Sequence, residues 1–175
     1  MLYVGIDPGL SGAVAVLTSR GRVVVLGNTP VIKVKKGKGS KRVYCAEKMA
    51  DILRALPLNR VAIVGIESVH AMPHQGVTSM FSMGRGVGTW DGIIATLGLP
   101  IEWLSPQAWQ KTVIGPKLDK TQDSKNRSIQ RARELFRAQP DILAQLQTKT
   151  SDGRADALLI AEYMRRTYTA RINVA

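Results

Sequence analysis

Four acidic side chains mark where this chain can do chemistry. Asp7 ends the apolar run that starts at Leu2 and is followed at once by Pro8 and Gly9. Glu67 ends a second apolar run, from Val61 to Ile66. Asp152 and Asp156, four residues apart, open a segment near the C-terminus. An isolated carboxylate removed from water is very costly. Two close carboxylates repel until one takes a proton or a cation sits between them. Mg²⁺ suits such a set, because it takes carboxylate oxygens and keeps waters and substrate phosphates as its other ligands. Two such ions about 4 Å apart stabilise both the attacking and the leaving oxygen of an in-line displacement. Acids drawn from distant segments of a basic chain therefore suggest a metal site that cuts or joins phosphodiesters. The plainer readings are a turn-stabilising Asp7, a surface Glu67 at a strand end, and Asp152 as a helix N-cap.

These acids need a scaffold that brings them together. Residues 2–7, 12–18 and 22–27 are Val-rich and punctuated by Gly, and read as three strands of an antiparallel meander. Residues 30–43 change character: Lys33, Lys35, Lys36, Lys38, Lys41 and Arg42 alternate with Gly37, Gly39 and Ser40. That composition predicts a mobile basic loop or a hairpin tip. Helical spacing follows from Tyr44 to Leu56, then a buried strand over 60–66 and a loop over 68–77. Residues 79–97 read as a helix despite Gly84, Gly86, Gly88 and Gly92. Each glycine there costs roughly 1 kcal/mol, so another backbone or a second subunit is expected to pack closely against it. A short strand, 101–104, leads to Ser105 as N-cap and Pro106 as the first residue of a helix that turns Trp109 inward. Residues 111–125 are basic and loop-like. Helices are expected over 125–137, with Ile129, Ala132, Leu135 and Phe136 inward, over 141–146 and over 152–168. A right-handed crossover returns the fourth strand beside the first. Asp7 and Glu67 then become neighbours.

The 175 residues predict one α/β domain, 1–175. Lys and Arg number 25 against 13 Asp and Glu, a net charge of +12, which favours nucleic acid as partner. Cys45 stands alone, so an internal disulfide and a Cys-cluster metal site are excluded. No apolar run reaches the roughly 20 residues that span a bilayer, and no signal peptide is visible. A cytoplasmic location, in a viral or bacterial setting, is expected, without membrane attachment.

The ordered motifs resemble the RuvC-type Holliday-junction resolvases of the ribonuclease H-like superfamily, phage-like members in particular. Gly5-Ile6-Asp7-Pro8-Gly9 matches the first acidic motif and Gly65-Ile66-Glu67 the second. Gly84-Arg85-Gly86 is similar to the dimer-forming segment, and Trp109 to Gly115 to a basic motif beside the scissile phosphate. Asp152-Gly153-Arg154-Ala155-Asp156 matches the last acidic motif, at a spacing of four residues where the family has three. His70 stands where the family has an aromatic side chain. The resemblance implies a mixed five-stranded sheet flanked by helices. It implies a homodimer that nicks branched DNA and four-way junctions in recombination and repair, leaving 5′-phosphate and 3′-hydroxyl ends. Asp7, Glu67, Asp152 and Asp156 would bind two Mg²⁺, with Mn²⁺ as substitute, and Lys111 and Lys120 would stabilise the phosphate. DNA contacts would come from Lys33, Lys35, Lys36, Lys38, Lys41, Arg42, His70, Arg85, Lys117, Lys125, Arg127 and Arg131. No nucleotide cofactor is expected. Two other readings use the same residues: a junction binder that does not cut, and an ATP-utilising protein of the actin and sugar-kinase type. The second normally needs two related domains.

Overall fold

The computed structural model describes residues 1–37, 39–70, 75–115, 124–147 and 151–172. Lys38, Lys117 and Lys120 lie outside the described residues, and Lys125 is described in its backbone alone. Five strands form the central sheet: β1 (Leu2–Asp7), β2 (Ala13–Thr18), β3 (Val23–Asn28), β6 (Val61–Glu67) and β7 (Ile101–Leu104). Their order is β3-β2-β1-β6-β7. The first three pair antiparallel as a meander, while β6 runs parallel to β1 and β7 parallel to β6. Ile6 pairs with Ile66, so Asp7 and Glu67 follow at the same end of adjacent strands, about 4.8 Å apart in such a ladder. The expected mixed five-stranded α/β sheet is therefore present.

Alternation along β1 sends Tyr3 and Gly5 to one face and Val4 and Ile6 to the other. The first face packs on α3 (Pro106–Val113), α4 (Ser124–Leu135) and α6 (Asp152–Ile172) through Trp109, Ala132, Leu158 and Met164. The second packs on α1 (Ala46–Arg54) and α2 (Val77–Thr96) through Met49, Leu53, Trp90 and Ile94. A short helix, α5 (Pro140–Gln145), buries Ile142 against the first face. Glycine sets how closely α6 lies on the sheet. A Cβ on Gly5 would collide with the backbone of Ala157 and Ala161, and one on Gly65 would strike the Met164 side chain. No helix among the described residues is long and apolar enough to cross a membrane.

The basic segment is a β-hairpin, β4 (Val31–Lys36) paired with β5 (Gly39–Tyr44), turning at Gly37 with φ 57°. Tyr44 thus ends a strand instead of opening a helix, and Pro57 leads into a single 3-10 turn, Leu58–Arg60, before β6. Lys33 faces Arg42 across the hairpin, a like-charge pairing that destabilises an isolated ladder. The helix begun at Pro106 extends to Val113, further than expected, because Val113 is buried one turn beyond Trp109. Ser105 caps it, its hydroxyl accepting from the Ala108 N–H at 3.3 Å. Of the four α2 glycines, only Gly86 has a close neighbour among the described residues: a Cβ there would strike the Tyr44 ring and the Pro8 carbonyl. Gly84, Gly88 and Gly92 face open space in the chain as it stands.

Candidate active site

Asp7 sits where β1 gives way to a tight turn. Its Oδ1 accepts the Gly9 N–H at 3.2 Å, and Gly12 N–H closes the turn on the Gly9 carbonyl at 2.9 Å. The start of α6 lies against this turn. A Cβ on Gly153 would stand 2.9 Å from the Gly12 Cα and 3.1 Å from Asp7 Oδ2. Gly153 therefore lets the first turn of α6 approach Asp7.

Glu67 is held from α3: the indole N–H of the fully buried Trp109 donates to its Oε1 at 3.1 Å. Burial, and then the charge of Asp7, push Glu67 up to about 7, with the Trp109 bond pulling the other way. Asp156 is also pushed up to about 7. Burial is the main cause, a hydrogen bond to the Ser128 hydroxyl opposes it, and the charges of Asp7, Glu67 and Asp152 add to it. Its Oδ1 is buried without a hydrogen-bond partner. All four expected acids thus act on one another at the C-terminal end of β1 and β6.

The donor chemistry fits a hard divalent cation. Every candidate ligand is a carboxylate oxygen, one buried oxygen lacks a partner, and two acids hold protons near neutrality in a way that a nearby cation would reverse. No three His, Cys, Asp or Glu side chains among the described residues form a ready-made cage. Mg²⁺ does not need one, since it is commonly held by one or two carboxylates with phosphate and water completing the octahedron.

The cationic residues divide into two groups. Lys36, Lys41, Arg42 and Arg85 line one groove of about 700 Å³ between the hairpin, the Gly9–Ser11 turn and α2. The Arg42 guanidinium donates to the Ser11 hydroxyl at 3.1 Å, which ties the hairpin to the turn after Asp7. Lys33 and Lys35 are exposed on the same hairpin, and His70 is exposed three residues past Glu67. Arg127 and Arg131 serve the scaffold. They donate to the Gly115 and Val113 carbonyls at 2.9 and 2.8 Å and fasten α4 to the end of α3. Arg131 also pairs with Glu134 at 3.0 Å. Lys111 is exposed in the last turn of α3 and is not among the charges acting on Glu67 or Asp156.

Helical spacing places Trp109 in the core but does not reveal its N–H on Glu67. Ser128 also escapes a reading of the sequence, although 128, 132 and 136 share one helical stripe on which Ser128, Ala132 and Phe136 are all buried. Tyr44, expected at the start of a helix, instead bonds Ser82 through its hydroxyl, and its pKa is raised by burial and by the charge of Asp7.

A mixed sheet in the order 3-2-1-6-7 with helices on both faces is the fold of solved RuvC structures. The Thermus thermophilus RuvC structure superposes with a TM-score of 0.56 at 17% identity, over 99% of this chain and 97% of that one. T. thermophilus RuvC in complex with Holliday junction substrate gives 0.55 at 17% identity, over 100% and 98%. No protein-family model matches the sequence, and no curated protein does.

Proposed function

We propose that this chain is a divalent-metal-dependent endonuclease that resolves four-way DNA junctions by paired nicks. The observation that carries the reading is the meeting of Asp7, Glu67, Asp152 and Asp156, from both ends of the sequence, beside a groove lined by four cations. A RuvC structure solved with a Holliday junction has the same fold. Asp7, Glu67 and Asp156, with Asp152, would hold Mg²⁺ or Mn²⁺. Such ions would supply a nucleophilic water at neutral pH and charge neutralisation at the leaving oxygen; 5′-phosphate and 3′-hydroxyl ends are what the resemblance implies.

The chain's own residues prepare that site. Gly9 N–H orients Asp7, the Trp109 indole orients Glu67, and Ser128 orients Asp156. Buried surroundings strengthen each charge interaction. The hairpin lysines and Arg85 hold phosphates and set the register of the DNA without reading its sequence. Lys111 and Lys120 would neutralise charge building on the phosphate. Two symmetric nicks need two sites in matching geometry, which a two-fold dimer supplies. The open face of α2 at Gly84, Gly88 and Gly92 is the surface assigned to that contact.

The test is Asp7→Asn with a synthetic four-way junction. Binding should persist while Mg²⁺-dependent cleavage disappears. Undiminished nicking ends this reading. Binding by the wild type without any cleavage, with or without Mg²⁺, would favour the non-cutting junction binder.

A further inference from the structure

The β4–β5 hairpin carries cations on both of its faces. Side chains alternate along a strand, and the register pairs Lys33 with Arg42, Val34 with Lys41, Lys35 with Ser40 and Lys36 with Gly39. Lys33 and Lys35 therefore share one face, and Lys36 and Lys41 share the other. The second face turns to the groove: Lys36, Lys41 and Val43 line it, while Lys33 and Lys35 do not. Arg42 shares the face of Lys33 by register, but its guanidinium is engaged by the Ser11 hydroxyl at 3.1 Å. Every described residue from Lys35 to Arg42 is exposed, so the rest of the chain covers neither face. Nothing nearby in sequence offsets the charge either. No Asp or Glu occurs between Asp7 and Glu47, and none lines the groove. Soluble surfaces intersperse both signs; this segment carries one. Like charges directly opposite each other weaken a ladder, and a lone two-stranded hairpin is marginal in water at best. A polyanion in the groove relieves Lys36 and Lys41 alone. Lys33 and Lys35 stand about 7 Å apart along β4, far enough to take separate phosphates on the outer side.

We propose that the hairpin lies between two DNA backbones. Lys36 and Lys41 hold the arm that enters the groove, and Lys33 and Lys35 hold a backbone of a second arm on the outer face. The inference rests on the junction-nuclease reading and adds to it a way of sensing two arms at once. A single duplex seated in the groove leaves the outer face empty. At a branch point two arms diverge within reach of one thin ladder, and both faces are filled. Recognition then comes from the arrangement of backbones, with no contact to a base.

The experiment measures anisotropy of a fluorescein-labelled four-way junction and of a duplex with the sequence of two of its arms. EDTA prevents cutting, and protein is in excess so that each protein meets one DNA molecule. Wild type, Lys33→Gln/Lys35→Gln and Lys36→Gln/Lys41→Gln are titrated over a range of salt. Each lost phosphate contact removes about 0.9 from the slope of log affinity against log salt. On junction, the slope should therefore fall by about 1.8 per bound chain in each double variant. On duplex, Lys36→Gln/Lys41→Gln should lose the same amount, and Lys33→Gln/Lys35→Gln should keep the wild-type slope. The ratio of junction to duplex affinity should accordingly fall in Lys33→Gln/Lys35→Gln alone. An unchanged junction slope in either variant overturns the two-sided grip, because that face then holds no phosphate. So does an equal loss on junction and duplex in Lys33→Gln/Lys35→Gln, which puts both faces on one duplex. A wild type that binds junction no better than duplex overturns the junction reading itself.

Discussion

Asp156→Asn should stabilise the metal-free protein while abolishing cleavage. The side chain is half-buried, its Oδ1 is buried without a partner, and its pKa stands at about 7 against an ordinary 3.8. That interval corresponds to about 4 kcal/mol between the protonated and ionised forms. The folded pKa is raised, so the native state holds a proton that the unfolded state has released between these two values. Stability from this group therefore declines as pH rises from about 4 to about 7 and is at its lowest above that. At pH 5 the penalty is about 1.6 kcal/mol and at pH 8 about 4 kcal/mol. Asn is neutral at both, so the substitution should gain more at pH 8 than at pH 5, by about 2–3 kcal/mol. For a chain of this length that is a difference of about 5–10 °C in melting temperature. Glu67, raised to about 7 for the same reason, keeps a slope of the same sign in the variant. Thermal unfolding in EDTA at the two pH values reads the effect directly. A melting temperature that rises equally at both, or falls at pH 8, would refute the claim that ionised Asp156 costs stability in the metal-free fold.

Trp109→Phe keeps a ring in the core and removes the donor to Glu67. A hydrogen bond to a charged group is worth about 1.5–3 kcal/mol, so the acid limb of the cleavage profile should move to higher pH by about one to two units; an unmoved limb rejects a role for the indole N–H. Gly5→Ala drives a methyl group into the backbone of Ala157 and Ala161 and should destabilise the protein by about 3 kcal/mol in urea unfolding. Replacing Lys36 and Lys41 together by Gln should reduce the slope of log junction affinity against log salt by about 1.8; an unchanged slope would remove both residues from the DNA path.

The acids were legible because each ends a run of apolar residues or opens a helix, where a carboxylate has no packing role. That Asp7 and Glu67 end neighbouring strands followed from the handedness of crossovers, and the register of Ile6 with Ile66 is a property of the fold. The basic segment was ambiguous for a definite reason. In β4 the half-buried positions are Val31 and Val34, three apart, so the alternation that marks a strand is absent. The glycines of α2 raised the expectation of a close backbone or second subunit; at Gly86 the neighbour is largely the Tyr44 ring, a side chain of the same chain, beside the Pro8 carbonyl. The bond from Trp109 to Glu67 spans two elements 42 residues apart, and no local pattern encodes which atom a buried indole N–H will meet.

The clearance that Gly5 and Gly153 give to α6 has a consequence for the timing of activity. Asp7 leaves the ribosome 149 residues ahead of Asp156. The first strand therefore waits, while most of the domain is translated, for the helix that completes its carboxylate set. Until that helix is made, the chain holds only Asp7 and Glu67 of the four clustered acids.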